Sequence, residues 1–302
     1  MRHLIDIIFE CIYSTLVFSY YYYLKQFISS NLFKNKLKSI TTTNNNHRYS
    51  TKVEYLDIIP NNTCKDLIIW NSEYNISTYT TKFISKNEKD IIALTHFNKS
   101  VLIGSLLSDS YIEKNGNWNP RIRFEHSVHA FSYVIYLYNQ LQILRSITPL
   151  LLIKRKLRNK VFYSLSFKTR QLLCLNELYY LFYKKDINNK KVKRISPELY
   201  HYFNDIVLAH WIIGDGSKTK GGIILCTDSY SFEDISILIN ILILKYDIHP
   251  IIKYHASYKI SDVNKKNKSM KPRICINTYD SRKISQIVLP YTVDYYKYKL
   301  FI

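Results

Sequence analysis

Two aspartates, Asp109 and Asp215, close two similar runs of apolar and small residues. The second run reads Leu208-Ala209-His210-Trp211-Ile212-Ile213-Gly214-Asp215-Gly216-Ser217; the first is the shorter Leu102-Ile103-Gly104-Ser105-Leu106-Leu107-Ser108-Asp109-Ser110. An apolar helix that ends in an acid followed by Gly or Ser delivers a carboxylate to a helix tip, where the backbone turns away. The two acids stand 106 residues apart, a spacing that suits a duplicated unit the size of a small domain. Phosphodiester hydrolysis needs a nucleophilic water, neutralised charge on the phosphorus oxygens and help for the leaving oxygen. Divalent cations held by carboxylates supply all three. Mg²⁺ keeps several waters and asks for one or two protein carboxylates, so two aspartates are a sufficient shell. Side-by-side packing of the two helices would bring the acids together if small residues let the backbones approach. Gly104, Ser105 and Ser108 on one helix, and Ala209 and Gly214 on the other, suit that role. Either motif alone fits a plain buried helix ending at an Asp-Ser or Asp-Gly turn. Their recurrence before similar strand and helix patterns favours a site.

The elements that position the acids recur in order. Thr95 or Asn98 caps the first motif helix. The alternating Arg121-Ile122-Arg123-Phe124-Glu125-His126 predicts a hairpin strand, and a helix is expected over 130–144. A basic segment at 154–158 precedes a strand at 161–167, then a helix at 176–184 and a basic, polar connector at 188–194. Ser196-Pro197-Glu198 opens the second half, because Pro is favoured in a first turn. The second motif helix (203–214), a turn at 218–222, a strand at 223–227 and a helix at 232–246 follow. Strands at 251–260 and 273–278 flank the basic loop Lys265-Lys266-Asn267-Lys268, and a last helix starts near Ser281. Helix, hairpin, helix, hairpin, helix, twice over, is an α+β repeat. The expected division is an N-terminal extension at 1–90, a first half at 91–194 and a second half at 195–302. The extension is Tyr-rich and of low complexity, and is expected to be irregular. Its uncharged stretch Cys11 to Leu24 is 14 residues, too short for an ordinary spanning helix, so no firm membrane partner is expected.

Lys and Arg outnumber Asp and Glu 43 to 23 in the 302-residue chain, a formal charge of +20. Folding does not need this excess and phosphate neutralisation does, which makes a polyanion the leading partner. The five cysteines form no CxxC pair and fit a reducing compartment, with neither a disulfide framework nor a zinc site. Abundant Ile, Asn, Lys and Tyr with only 6 Gly and 7 Pro look like translation of A/T-rich DNA, and hint at an organelle genome.

LLSDS and LAHWIIGDGSKTKGG resemble the two motifs of the LAGLIDADG homing endonucleases, in the subfamily encoded within organelle introns. The likeness runs from about Leu94 to Leu300 and includes RIRFEHS, LYYLFY, SPELYHYF, GGIILCTDSYSFEDI and the closing Leu289-Pro290-Tyr291 and Tyr298-Lys299-Leu300. The resemblance implies a monomer of two pseudo-symmetric αββαββα halves whose saddle-shaped antiparallel sheets lie along the DNA major groove. It also implies double-strand cleavage across the minor groove with shared Mg²⁺, and a mitochondrial location. Carried over by position, Asp109 and Asp215 match the essential metal-binding acids, with the main-chain carbonyls of Ser108 and Gly214 completing the metal shells. His126 and Asp228 fall where the family places polar, water-ordering side chains. Lys168 is the candidate for the basic residue that stabilises developing charge, and Lys253 or Lys283 for its second-half partner. Departures are Ser110 after the first acid, where Gly is usual; Ser108 and Gly214, where Gly and Asp are common; and His210, where Tyr is frequent. Some members of the family assist splicing of their host intron instead, so an RNA maturase acting on intron RNA is the alternative. Expected DNA contacts are Arg121, Arg123, Lys218, Lys220, Thr227, Lys253, Lys259 and Arg273, with affinity that falls steeply as salt releases counterions.

Overall fold

The structure, a computed structural model, describes residues 40–41, 49–55, 84–157, 160–185, 191–257 and 269–302. Strands β1 (Ile40–Thr41) and β2 (Tyr49–Tyr55) come first. Helix α1 (Lys86–Ile91) follows, started by a capping box in which Ser85 and Glu88 satisfy each other's backbone N–H groups. Motif helix α2 (His96–Leu107) is capped by the Thr95 side chain, which accepts from the Asn98 N–H, as its sequence predicts. Next come β3 (Tyr111–Glu113), β4 (Arg121–Ser127), α3 (Phe131–Gln140), β5 (Leu151–Leu157), β6 (Lys160–Lys168) and α4 (Leu175–Phe182). A short hairpin, β7 (Tyr183–Lys185) with β8 (Lys191–Lys193), leads to α5 (Leu199–Tyr202). Motif helix α6 (Asp205–Asp215) opens the second series: β9 (Gly216–Thr219), β10 (Gly222–Leu225), α7 (Phe232–Tyr246), β11 (Ile251–Ser257), β12 (Ser269–Ile276) and α8 (Thr278–Val288). Helix, hairpin, helix, hairpin, helix therefore occurs twice.

Both sheets are antiparallel. The second has four strands in the order β11-β12-β10-β9, and the first repeats that order as β5-β6-β4-β3. In β4 the residues alternate, Ile122, Phe124 and His126 buried and Arg121, Arg123 and Glu125 on the open face. The buried side chains pack on the helices: Phe124 stacks on Phe167 at 4.6 Å, and Tyr138 of α3 meets Phe167 edge-on. At the centre α2 lies against α6, and each is buried on every side over its middle, Ser100 to Leu107 and Val207 to Ile213, where apolar and small residues face all round as in a core helix.

Four local expectations change. The basic segment expected only to precede a strand is itself strand: Lys154, Arg155 and Lys156 lie within β5, paired along its length with β6. Similarly, Lys191–Lys193 of the expected connector forms β8. Ser217, Lys218 and Thr219 belong to β9, so the turn shrinks to the two residues Lys220 and Gly221. Charged strands carry no apolar alternation when their inner residues are few, which hid all three. The extension is also not wholly irregular. β2 pairs with β5 over seven residues, from Tyr49 opposite Leu157 to Tyr55 opposite Leu151, so the first sheet reaches six strands. Among the described residues no helix is long and apolar enough to cross a membrane; Cys11 to Leu24 lies outside them.

Candidate active site

The two motif helices touch where their side chains are smallest. A Cβ added at Gly104 would sit 2.5 Å from His210 Cβ and 2.6 Å from the Val207 carbonyl, and one at Gly214 would overlap Ser108. Only glycine permits backbones this close. Gly104 and His210 stand 106 residues apart, as do Ser108 and Gly214, so equivalent positions of the two motifs face each other. Hydrogen bonds cross the same seam. Tyr133 of α3 bonds the Nδ1 of His210 at 2.8 Å, the Tyr230 hydroxyl donates to the Leu107 carbonyl at 2.6 Å, and Asn204 donates to Ser100 at 2.8 Å. Burial of His210 drives its imidazole down to about 3, so it is neutral and serves packing.

Each helix ends at its acid. After α2 the chain folds back, with the Ser110 N–H donating to the Ser105 carbonyl at 2.9 Å, and Asp109 is left half-exposed at the tip. Asp215 is the last residue of α6; its carbonyl accepts from the Cys226 N–H at 3.0 Å. Asp215 also lines a cleft of about 500 Å³ with Ser217, Lys218, Cys226, Tyr298 and Lys299. The acids differ in charge state. Burial, and then the charge of Asp109, push the Asp215 carboxyl up to about 7. Burial also works against ionised Asp109, but the hydrogen bond and charge of His126 and the ammonium groups of Lys299 and Lys193 outweigh it and hold this carboxyl below its ordinary value. His126 Nδ1 lies 3.5 Å from Asp109 Oδ2, with its ring edge-on to Tyr133.

Lys193 and Lys299 were not among the candidates. Lys193 Nζ donates to the Leu106 carbonyl at 2.6 Å, and Lys299 Nζ to the Ile213 and Gly214 carbonyls at 2.5 and 3.3 Å. Each thus closes the C-terminus of one motif helix, where unpaired carbonyls favour a cation. Burial lowers both ammonium groups, Lys193 to about 8, against the opposing charges of Asp109 and Asp215. The sequence holds a signal for the pair: they too lie 106 residues apart, in Lys191-Val192-Lys193 and Lys297-Tyr298-Lys299.

The remaining candidates scatter. Lys168 lies on the open face of the first sheet, paired with Glu113 at 3.4 Å, and is not among the cations that act most strongly on Asp109. Lys283 pairs with Asp247, and Lys253 is exposed on β11 opposite Arg273. Asp228 has both oxygens engaged by Arg273, each at 2.7 Å. Arg121 binds Glu113 at 2.8 Å, and Arg123 binds Glu125 at 3.2 Å. Thr227 does not face a groove: it is fully buried, its hydroxyl donating to the Pro272 carbonyl at 2.8 Å. Lys218 is opposite the buried Ile223, on the helix side, and its Nζ donates to the Leu300 carbonyl at 2.6 Å. Lys220 is exposed at the β9–β10 turn, and Lys259 lies outside the described residues.

The donor set suits a hard divalent cation. Two carboxylates meet at one place, and one of them resists ionisation partly because the other is charged, a conflict that a shared cation would relieve. Among the described residues no group of three or more His, Cys, Asp or Glu side chains forms a metal position.

These features define a class, a duplicated α+β chain whose halves meet through paired helices and share an acidic centre at the helix tips. Residues 99–284 match the model of the LAGLIDADG DNA endonuclease family, and the chain belongs to that family. It is 30% identical over 249 residues to the cytochrome b mRNA maturase bI2 of Saccharomyces cerevisiae, covering 76% of this chain and 56% of the maturase. The chain therefore spans little more than half of that relative. It is 29% identical over 239 residues to a probable intron-encoded endonuclease 1 of Wickerhamomyces canadensis, covering 73% of this chain and 90% of the relative. Among solved structures it is similar to the homing endonuclease I-WcaI bound to its DNA recognition sequence, with a TM-score of 0.59 and 26% identity over 79% of this chain and 97% of that one.

Proposed function

We propose that this chain is a site-specific, Mg²⁺-dependent double-strand DNA endonuclease of intron-homing type, acting as a monomer in the mitochondrion. The observation that carries the reading is the meeting of Asp109 and Asp215 at paired helix tips, with a half-buried lysine, Lys193, and a buried one, Lys299, closing those helices. Asp109 and Asp215 would hold the metal ions, with the carbonyls of Ser108 and Gly214 beside them. When bound, the metal supplies Lewis-acid stabilisation and an activated water. The chain's own groups do the rest. His126 fixes the Asp109 carboxylate and orders water on the first-half side. Lys193 and Lys299 set positive charge where negative charge develops on the phosphate and leaving oxygens, so they take the role expected of Lys168. The open faces of the two sheets carry Arg121, Arg123, Arg155, Lys168, Lys253 and Arg273, cations suited to the phosphates and base edges of a duplex. The mitochondrial location rests on the cytochrome b maturase relative together with the A/T-rich coding bias.

The test is incubation of the purified chain with a duplex spanning the uninterrupted insertion site, with and without Mg²⁺. Discrete cutting of both strands that needs the metal and disappears in Asp109→Asn and Asp215→Asn supports the reading; cutting that survives either substitution refutes it. The 30% identity to a maturase supports a second reading, assistance to splicing of the host intron. Splicing help that persists in both Asn variants would assign that role to the basic surface alone.

A further inference from the structure

On the open sheet faces the arginines are held in two different ways. In the first sheet the guanidinium groups share acids: Glu113 contacts Arg121, Arg123 and Lys168, while Glu125 contacts Arg123 and Arg155. Both terminal nitrogens of Arg123 face carboxylates, Nη1 at 3.7 Å from Glu113 and Nη2 at 3.2 Å from Glu125. Arg273 of β12 is different. Its Nε and Nη2 donate to the two oxygens of Asp228, both at 2.7 Å, so one edge of the fork is filled. The outer edge, formed by Nη1 and the second Nη2 proton, has no protein acceptor among the described residues and lies on the open face, since the neighbouring Ile274 points into the core.

The acid that grips this arginine is itself fixed. Thr227 is fully buried and its hydroxyl donates to the Pro272 carbonyl at 2.8 Å, tying the Asp228 loop to the strand that carries Arg273. The Cys226 N–H donates to the Asp215 carbonyl at 3.0 Å, tying the same loop to the tip of the second motif helix. Fork, acid and the Asp215 carboxylate are therefore joined through one loop, and the charge of Asp228 is felt at Asp215. A planar fork with a free, pre-aimed edge matches the two acceptors that guanine presents in the major groove, O6 and N7. A lone phosphate contact would not need such bracing, because a phosphate accepts from many directions.

We infer that Arg273, held by Asp228, reads one guanine in the major groove near the centre of the half-site bound by the second sheet. Asp228 is then a positioning residue for recognition rather than an orderer of catalytic water. The inference rests on the proposed recognition of duplex DNA, but not on cleavage.

A randomised duplex pool, bound by the full chain in Ca²⁺ and sequenced, tests it. The wild type should retain a guanine at one inner position of one half-site. Arg273→Ala should erase that preference, with discrimination falling on the order of tenfold or more at that position alone. Asp228→Asn should weaken the same preference without moving any other. Uniform loss of affinity over all sequences in Arg273→Ala, with a shallower salt slope, would mean a phosphate contact and overturn the inference. A changed base preference in Asp228→Asn at positions far from the Arg273 position would also overturn it. Cleavage of the selected pool in Mg²⁺ is read separately. Sequence-specific binding without cutting defeats the nuclease reading and leaves this one intact, while absence of any sequence preference defeats this inference.

Discussion

Replacing Asp215 by Asn should raise the stability of the protein in EDTA while abolishing the proposed cleavage. The folded chain holds the Asp215 carboxyl near 7 instead of its ordinary 3.8, first through burial and then through the charge of Asp109. A raised acid favours the protonated form in the native state, so the native state loses stability as pH rises through that interval. Below about pH 3.8 neither folded nor unfolded chain ionises this group, and wild type and variant should unfold alike. Above about pH 7 the full penalty applies. Its ceiling is on the order of 4 kcal/mol, and water entering the cleft lowers it. For a chain of this size each kcal/mol corresponds to roughly 2–4 °C in melting temperature. Thermal unfolding in EDTA at pH 8 should therefore place Asp215→Asn several degrees above wild type, with the gap closing near pH 4. On the proposed function Mg²⁺ would bind the native state and should raise the wild type selectively, shrinking or reversing the difference. A variant no more stable than wild type at pH 8, or equally stabilised at pH 4 and pH 8, would refute the picture of two carboxylates in conflict.

Two further outcomes follow from the seam and its lysines. Gly104→Ala places a methyl group 2.5 Å from His210 Cβ, so the helices must part by about 1 Å. The overpacking, about 1–3 kcal/mol, is partly offset by better helix propensity, whereas a 1 Å displacement of catalytic groups costs about 100-fold in rate. Single-turnover cleavage should fall far more than duplex affinity. Lys299→Met leaves the Ile213 carbonyl without its donor and removes a cation from the centre; single-turnover rates on fully folded protein should drop on the order of 100-fold. A lower melting temperature with an unchanged rate would make Lys299 a helix cap and nothing more.

Much of the frame was legible in the sequence because it obeys local rules. Thr95 caps its helix, the apolar spacing of 232–246 gives a helix with those bounds, and Arg121 to His126 alternates as a half-buried strand should. β5, β8 and β9 escaped because their charged residues hold places in the sheets through backbone pairing rather than an apolar face. The small residues of the motif helices pointed to close approach, which Gly104 and Gly214 carry. Lys193 and Lys299 were not legible because nothing local distinguishes a lysine that folds inward from one that faces water. Only the shared 106-residue spacing marked them as a pair, and only the fold shows that they turn inward onto the motif carbonyls. The expected DNA contacts on the sheets divide for a related reason: alternation assigns a face, but it does not say which cations are already held by an acid.

The two ammonium groups beneath the helix tips have a consequence for order of events. With Asp109 ionised, Asp215 pushed up to about 7 and the ammonium groups of Lys193 and Lys299 beside them, the heart of the molecule carries no net negative charge before any metal arrives, so a nucleic acid backbone would meet no net repulsion there. On the proposed function, docking on the target and severing it would thus be separable acts, and a chain starved of divalent ions would hold its site intact.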